Sequence, residues 1–158
     1  NSILIITGGT DKYNLTKKIP PLLEKHCLQN TNISWVIGPY AKKPILKNTK
    51  LRWNFYNKPR DLSKIYKKSS VAFVLFGISF FEIVNYSIPC SIYSPKFKET
   101  RALEKEIKKK FFIDNNLENV IIDLISKFKN LKIENSRAIR LSKLINLKKR
   151  DSFIKKLI

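Results

Sequence analysis

Apolar positions along the chain fall into short, nearly unbroken runs, and between them come stretches in which apolar residues recur at helical spacing. "ILIIT" at 3–7, ending in Gly8-Gly9, reads as a strand buried on both faces and the turn that closes it. From Asn14 to about Cys27, Leu15, Ile19, Leu22, Leu23 and His26 mark one side of a helix, which Pro20-Pro21 should kink or start late. "ISWVIG" predicts a second strand ended by Gly38-Pro39, and a lysine-rich loop over 41–50 leads to a third, "LRWNFY". In "NKPRDLSKIYKKSS", Asp61 predicts the cap of a helix with Leu62, Ile65 and Tyr66 on its inner side. The strand "VAFVLF", a short segment holding Ser79 and Glu82, and the strand "CSIYS" after Pro89 follow. A helix from about Phe97 to Lys110, "NLENVIIDLISKFK", and a basic helical stretch from about Asn135 to Ile158 complete the pattern.

Strands alternating with helices, each strand nearly all apolar, predict an α/β fold: a Rossmann-like three-layer sandwich around a parallel sheet. No internal repeat and no Gly/Ser-rich linker divides the chain, so residues 1–158 are expected to form one domain. Ligands in such sheets bind at the carboxyl ends of the strands. That rule selects three loops, "TGGTDKYN", "YNKPRD" and "FGISFFE".

Composition changes this picture in three ways. The net charge of +20, from 32 Lys and Arg against 12 Asp and Glu, is accounted for either by a lysine-coated surface or by a polyanionic partner. No apolar run approaches the roughly 20 residues that span a bilayer, and Cys27 and Cys90 form no Cys-x-x-Cys pair, so a cytoplasmic chain with reduced, structural cysteines is expected. The chain contains no Met and opens on Asn at the first strand, which points to a piece of a longer protein.

Gly8 and Gly9, between a buried strand and a helix, can bring bare backbone N–H groups close to a phosphate near the helix N-terminus; a simple tight turn has the same sequence. Neither the dinucleotide fingerprint nor a P-loop is present. Gly77 and Ser79 form a second exposed turn, with Glu82 three residues beyond Ser79 and on the same side of a helix. A carboxylate there can accept hydrogen bonds from both hydroxyls of a ribose, while the same S-x-x-E spacing also fits a capping box. His26, the only histidine, falls on an apolar helix face and reads as a helix residue, and Asp61 and Asp114 read as helix caps. Trp35, Trp53, Phe80-Phe81 and Phe111-Phe112 read as core.

"ILIITGGTDKYNLT" and "FGISFFEIVNYSIPCSIYS" together resemble the C-terminal nucleotide-sugar-binding domain of GT-B glycosyltransferases, the kind found in the enzyme that adds N-acetylglucosamine to the lipid-linked peptidoglycan precursor. Within that group they look most like the UDP-sugar hydrolases of pseudaminic acid biosynthesis and the spore-coat polysaccharide proteins. Gly77, Ser79, Glu82 and Pro89 match the second motif, and Gly8-Gly9-Thr10-Asp11 stands where those proteins read Gly-Gly-Ser-Asp. The resemblance implies that Glu82 binds the ribose of UDP, that Gly77 and Ser79 lie against the diphosphate, and that Gly8, Gly9, Thr10 and Asp11 approach the phosphates or sugar. It assigns the backbone around Tyr56 and Asn57 to the uracil edge. It further implies a UDP-sugar donor, an N-terminal domain of the same protein as partner and source of the catalytic base, and glycosyl transfer or UDP-sugar hydrolysis with no metal or other cofactor. Ile78 replaces a small polar residue of the pattern, and Lys98 and Arg101 stand where relatives carry Gln or Asn near the donor sugar.

A second reading makes the chain a basic binding module for nucleic acid or an anionic membrane, without enzymatic activity. The stretch "RAIRLSKLINLKKRDSFIKKLI" sets Leu141, Leu144 and Ile145 against Arg and Lys, as an anionic membrane surface would require. No nucleic-acid-binding signature is present, so nucleic acid is not the expected partner. A third reading is an inactive GT-B domain that serves in assembly.

Overall fold

Along Ile3–Ile6 (β1) successive side chains point to opposite faces, and all four are buried, which requires cover on both sides. The computed structural model describes residues 1–96 and 102–148 and supplies that cover. After β1 come α1 (Leu15–His26), β2 (Asn32–Ile37), β3 (Arg52–Asn57), α2 (Ser63–Lys68), β4 (Val71–Leu75), α3 (Ile78–Asn85) and β5 (Cys90–Tyr93). α4 (Ala102–Lys108), β6 (Phe112–Asp114), α5 (Leu117–Lys129) and α6 (Leu131–Lys148) complete the described chain. The six strands form one all-parallel sheet in the order β3-β2-β1-β4-β5-β6.

Ile3 and Ile5 join Leu15, Ile19 and Leu23 of α1 and Val120, Ile121 and Leu124 of α5 in one core. Leu4 and Ile6 join Ile65 and Tyr66 of α2, Phe80 and Ile83 of α3, and Ile107 of α4 on the other face. The fold is therefore the α/β, Rossmann-like three-layer sandwich that the alternating pattern predicts. Each large side chain taken fully from water, such as Trp35, Phe73 or Phe80, contributes roughly 1.5–3 kcal/mol.

Several details depart from the expectation. α1 begins at Leu15 and runs through both Pro20 and Pro21, so no late start occurs. Tertiary packing of its apolar face and a side-chain cap described below hold it in place of the backbone bonds that the prolines cannot donate. A sixth strand, β6, runs through the segment in which Phe111-Phe112 reads as core; Phe112 stands exposed at the sheet edge. α6 begins at Leu131, four residues before the predicted start. It turns Ala138 and Ser142 inward, with the hydroxyls of Ser142 and Ser87 at 2.7 Å. This face of the basic helix thus packs on its own domain. Lys98, Arg101 and the chain after Lys148 lie outside the described residues, as do the side chains of Leu144 and Ile145.

Candidate functional site

β1 and β4 are neighbours at the centre of the sheet, and their chains leave it in opposite directions: β1 feeds α1 on one face and β4 feeds α3 on the other. The place where the two loops part is the switch point of the parallel sheet, where folds of this kind take their ligands in a crevice.

Its floor is built by close backbone contact. Gly8 has φ +83°, a left-handed conformation that favours glycine, and a Cβ added there would lie 3.9 Å from Leu75 Cδ2 at the end of β4. Gly38, at the end of β2, lies so close beneath that a Cβ there would be 2.1 Å from the Gly8 carbonyl oxygen and 2.7 Å from Gly9 Cα. The Tyr40 N–H donates to the Gly9 carbonyl at 2.9 Å, and Thr10 and Tyr40 form a parallel bridge. The loops after β1 and β2 therefore form one unit.

Asp11 is engaged within the chain. Its Oδ1 accepts from the N–H groups of Leu15, at 2.6 Å, and Thr16, at 3.3 Å, and its Oδ2 accepts from the Thr16 hydroxyl. Asn14, at the formal cap position, is left-handed with φ 55° and makes no side-chain bond to the helix, so the acid three residues earlier takes over the capping. The positive end of α1 thus already holds a carboxylate.

α3 begins differently. Gly77 caps it with extended backbone, no side-chain cap bond is made, and its first turn carries no acid. Ser79 lies inside the helix rather than at its cap, so the capping box that S-x-x-E would allow does not form. Glu82 instead turns to α2, where its Oε2 accepts the Tyr66 hydroxyl at 2.9 Å. Burial, together with donation to Glu82, pushes the Tyr66 phenol well above its usual pKa. The Tyr66 ring is 3% exposed and packs edge-on against Tyr86 at 5.0 Å, whereas Glu82 is solvent-exposed.

The fold thus brings Gly8, Gly9, Thr10, Gly77 and Ser79 to the ends of two adjacent strands, with Glu82 one helical turn further on. Asn57 ends β3, beyond β2 and hence about 10 Å from β1 at ordinary strand spacing. It is exposed, and the next residue, Lys58, is left-handed at φ 46° and donates its N–H to the Ile37 carbonyl at 3.3 Å. Sequence reasoning missed Gly38, Tyr40 and Tyr66. Gly38-Pro39 after a predicted strand was a visible signal for the first two; Tyr66 gave none beyond its place on a helix face. Tyr40 and Ile78, 83% and 82% exposed, stand beside the crevice on the loop after β2 and the first residue of α3.

His26 ends α1 and pairs with Glu118 of α5 at 3.0 Å, beside a Lys25–Glu118 bridge at 2.8 Å, so it joins two helices at the other end of α1 from the crevice. These two partners hold the Glu118 carboxyl below its usual pKa. Neither Asp61 nor Asp114 is itself a cap: Leu62 holds the cap position of α2, with Asp61 Oδ1 accepting the Ser63 N–H at 2.8 Å just before it, and Asn116 caps α5, with Asp114 at the end of β6 accepting the Asn116 N–H at 2.9 Å. Among the described residues no cluster of His, Cys, Asp and Glu could hold a metal ion, and no helix is long and apolar enough to cross a membrane.

A cavity of about 310 Å³ opens at the opposite edge of the sheet, near the amino ends of β5 and β6. Within it Lys127 pairs with Asp123, and Arg137 donates to the Lys110 carbonyl at 3.2 Å. It lies away from the carboxyl ends of the strands, where parallel sheets bind their ligands.

No family model matches the chain, and neither does any curated protein. Among solved structures it is similar to MurG of Acinetobacter baumannii, with a TM-score of 0.63 and 16% identity over 90% of this chain and 45% of that one. It is also similar to the spinosyn forosaminyltransferase SpnP, with a TM-score of 0.61 and 12% identity over 92% of this chain and 39% of that one. The chain spans less than half the length of either structure. At these identities the likeness is one of fold.

Proposed function

We propose that this chain is the donor-binding, C-terminal half of a two-domain glycosyltransferase-like enzyme and that it holds a UDP-sugar in the crevice between β1 and β4. The observation that carries the proposal is the contrast between the two helix starts at that crevice. α1 has its N-terminal N–H groups on Asp11, whereas α3 has neither a side-chain cap nor an acid in its first turn. A diphosphate would lie against Gly77 and Ser79, where the α3 dipole and open N–H groups favour negative charge. Gly8 and Gly9 would let its other side approach bare backbone. Glu82, exposed and unused as a cap, would accept the ribose hydroxyls, and the base would extend toward Tyr56 and Asn57 at the end of β3. Thr10 would face the sugar, with Asp11 shaping the loop that carries it.

In this scheme the chain's contribution to catalysis is electrostatic. Backbone N–H groups and the α3 N-terminus stabilise the charge that gathers on the departing diphosphate. The activating base and the acceptor would belong to an N-terminal domain, toward which the exposed Tyr40 and Ile78 would face. The net charge of +20 favours an anionic donor and a peripheral approach to an anionic membrane. Both glycosyl transfer and UDP-sugar hydrolysis are compatible with this donor site, and the N-terminal half would decide between them.

Calorimetric titration with UDP, with ADP and a short oligonucleotide as controls, tests the proposal. Saturable UDP binding that Glu82→Gln weakens and that changes little with salt is the expected result. Absence of UDP binding, with steeply salt-dependent oligonucleotide binding instead, would replace the donor site with a basic binding surface. Gln is the informative substitution, because it keeps an acceptor for Tyr66 where Ala would strand a buried hydroxyl.

A further inference from the structure

We infer that Tyr66 is a positioning residue for the nucleotide: its hydroxyl fixes the Glu82 carboxylate so that the site discriminates ribose from deoxyribose. The inference rests on the donor-site reading and adds to it a residue that lies on a different helix and is absent from the motif.

An exposed glutamate ordinarily samples several rotamers, and holding it in one of them costs entropy on binding. Here one oxygen is tied. Glu82 Oε2 accepts from the Tyr66 hydroxyl at 2.9 Å, and Tyr66 is itself buried, 3% exposed, and packed against Tyr86 with ring centroids 5.0 Å apart. The bond spans from α2 to α3, so it sets the carboxylate relative to two elements at once. It leaves the carboxylate competent. An ionised carboxylate offers about four lone-pair positions, of which Tyr66 takes one, so Oε1 and the second position on Oε2 stay open to a vicinal diol.

The phenol also suits this duty as a donor. Burial and the neighbouring carboxylate both raise its pKa, so it keeps its proton across the physiological range and presents Glu82 with a neutral donor. A lysine in its place would pair with the carboxylate as a charge; the tyrosine orients it and leaves its charge available to the ligand.

The test is a comparison of UDP with 2′-deoxy-UDP by calorimetric titration, on the wild type, Tyr66→Phe, Glu82→Gln and the double variant. Phe keeps the ring and its contact with Tyr86, and a melting curve for each variant confirms folding. The wild type should prefer UDP. Tyr66→Phe should lose about 3- to 10-fold in UDP affinity, the size of one ordinary net hydrogen bond spent on orientation, and much less in 2′-deoxy-UDP affinity. In the Glu82→Gln background the same change should have little further effect. Discrimination equal to wild type in Tyr66→Phe would overturn the inference and leave the bond as a clasp between helices, with the donor site standing. A wild type that does not bind UDP would overturn both.

Discussion

Gly38→Ala probes the contact on which the crevice floor depends. An added Cβ would lie 2.1 Å from the Gly8 carbonyl oxygen, 2.7 Å from Gly9 Cα and 2.8 Å from the Gly9 carbonyl carbon. Comfortable separations for such pairs are about 3.5 Å or more, so one loop has to retreat by about 1 Å. The atoms in the way are backbone, which no rotamer change can clear. Retreat pulls on the Tyr40 N–H bond to Gly9 at 2.9 Å and on the Thr10–Tyr40 bridge. Overpacking of this kind costs about 1–3 kcal/mol, and a weakened backbone hydrogen bond adds about 1 kcal/mol. A total of about 2–4 kcal/mol corresponds to a fall of about 5–15 °C in Tm for a chain of this size. Thermal and urea melts followed by circular dichroism would measure it. Gly9→Ala is the control: its nearest neighbour is Pro39 Cδ at 4.0 Å, so the change should be within about 1 kcal/mol of neutral. If Gly38→Ala melts within about 2 °C of wild type, a shift of about 1 kcal/mol or less, the two loops are not in the contact described and the account of the floor fails.

Asp11→Ala should cost about 1–2 kcal/mol in a urea melt by stripping the N-terminal bonds of α1, and an unchanged midpoint would show that α1 does not need this cap. Cys27 and Cys90 are pushed by burial to pKa values of about 11 and about 12. Neither should react with a disulfide reagent at pH 8 in the folded protein, and both should react in denaturant. By the same shift the folded state holds these protons more tightly than the unfolded chain, whose thiols ionise near pH 8.5. The stability they contribute is thus complete below that pH and is lost as pH rises toward the folded values; a stability that stays flat from pH 8 to 11, in variants retaining only these titrations, would contradict the burial.

What was legible in the chain was whatever depends on near neighbours. β1 and β4 announce themselves because a strand covered on both faces reads as a continuous apolar run. β6 stayed hidden: three residues with only Ile113 fully buried make no run at all. Helical spacing marked α1, but whether Pro20 and Pro21 would break it depended on the sheet and α5 that hold its inner face. At the crevice, the Gly8-Gly9 turn and the three-residue step from Ser79 to Glu82 were visible. The engagement of Asp11 with α1 was not, because it follows from the left-handed Asn14 that displaces the usual cap.

The sequence alone determined the alternation of strands and helices, and through it the parallel layered fold and the three loops from which a site could be made. Periodicity and turn chemistry act over a few residues, and such information survives in one dimension. The order in which strands lie side by side, the burial of Gly38 against Gly8 and Gly9, and the choice of Glu82 to bond Tyr66 rather than cap its own helix were decided only in the tertiary structure. Each brings together groups separated by 16 or more positions, and no local pattern records a distance that arises only when two layers close on one sheet.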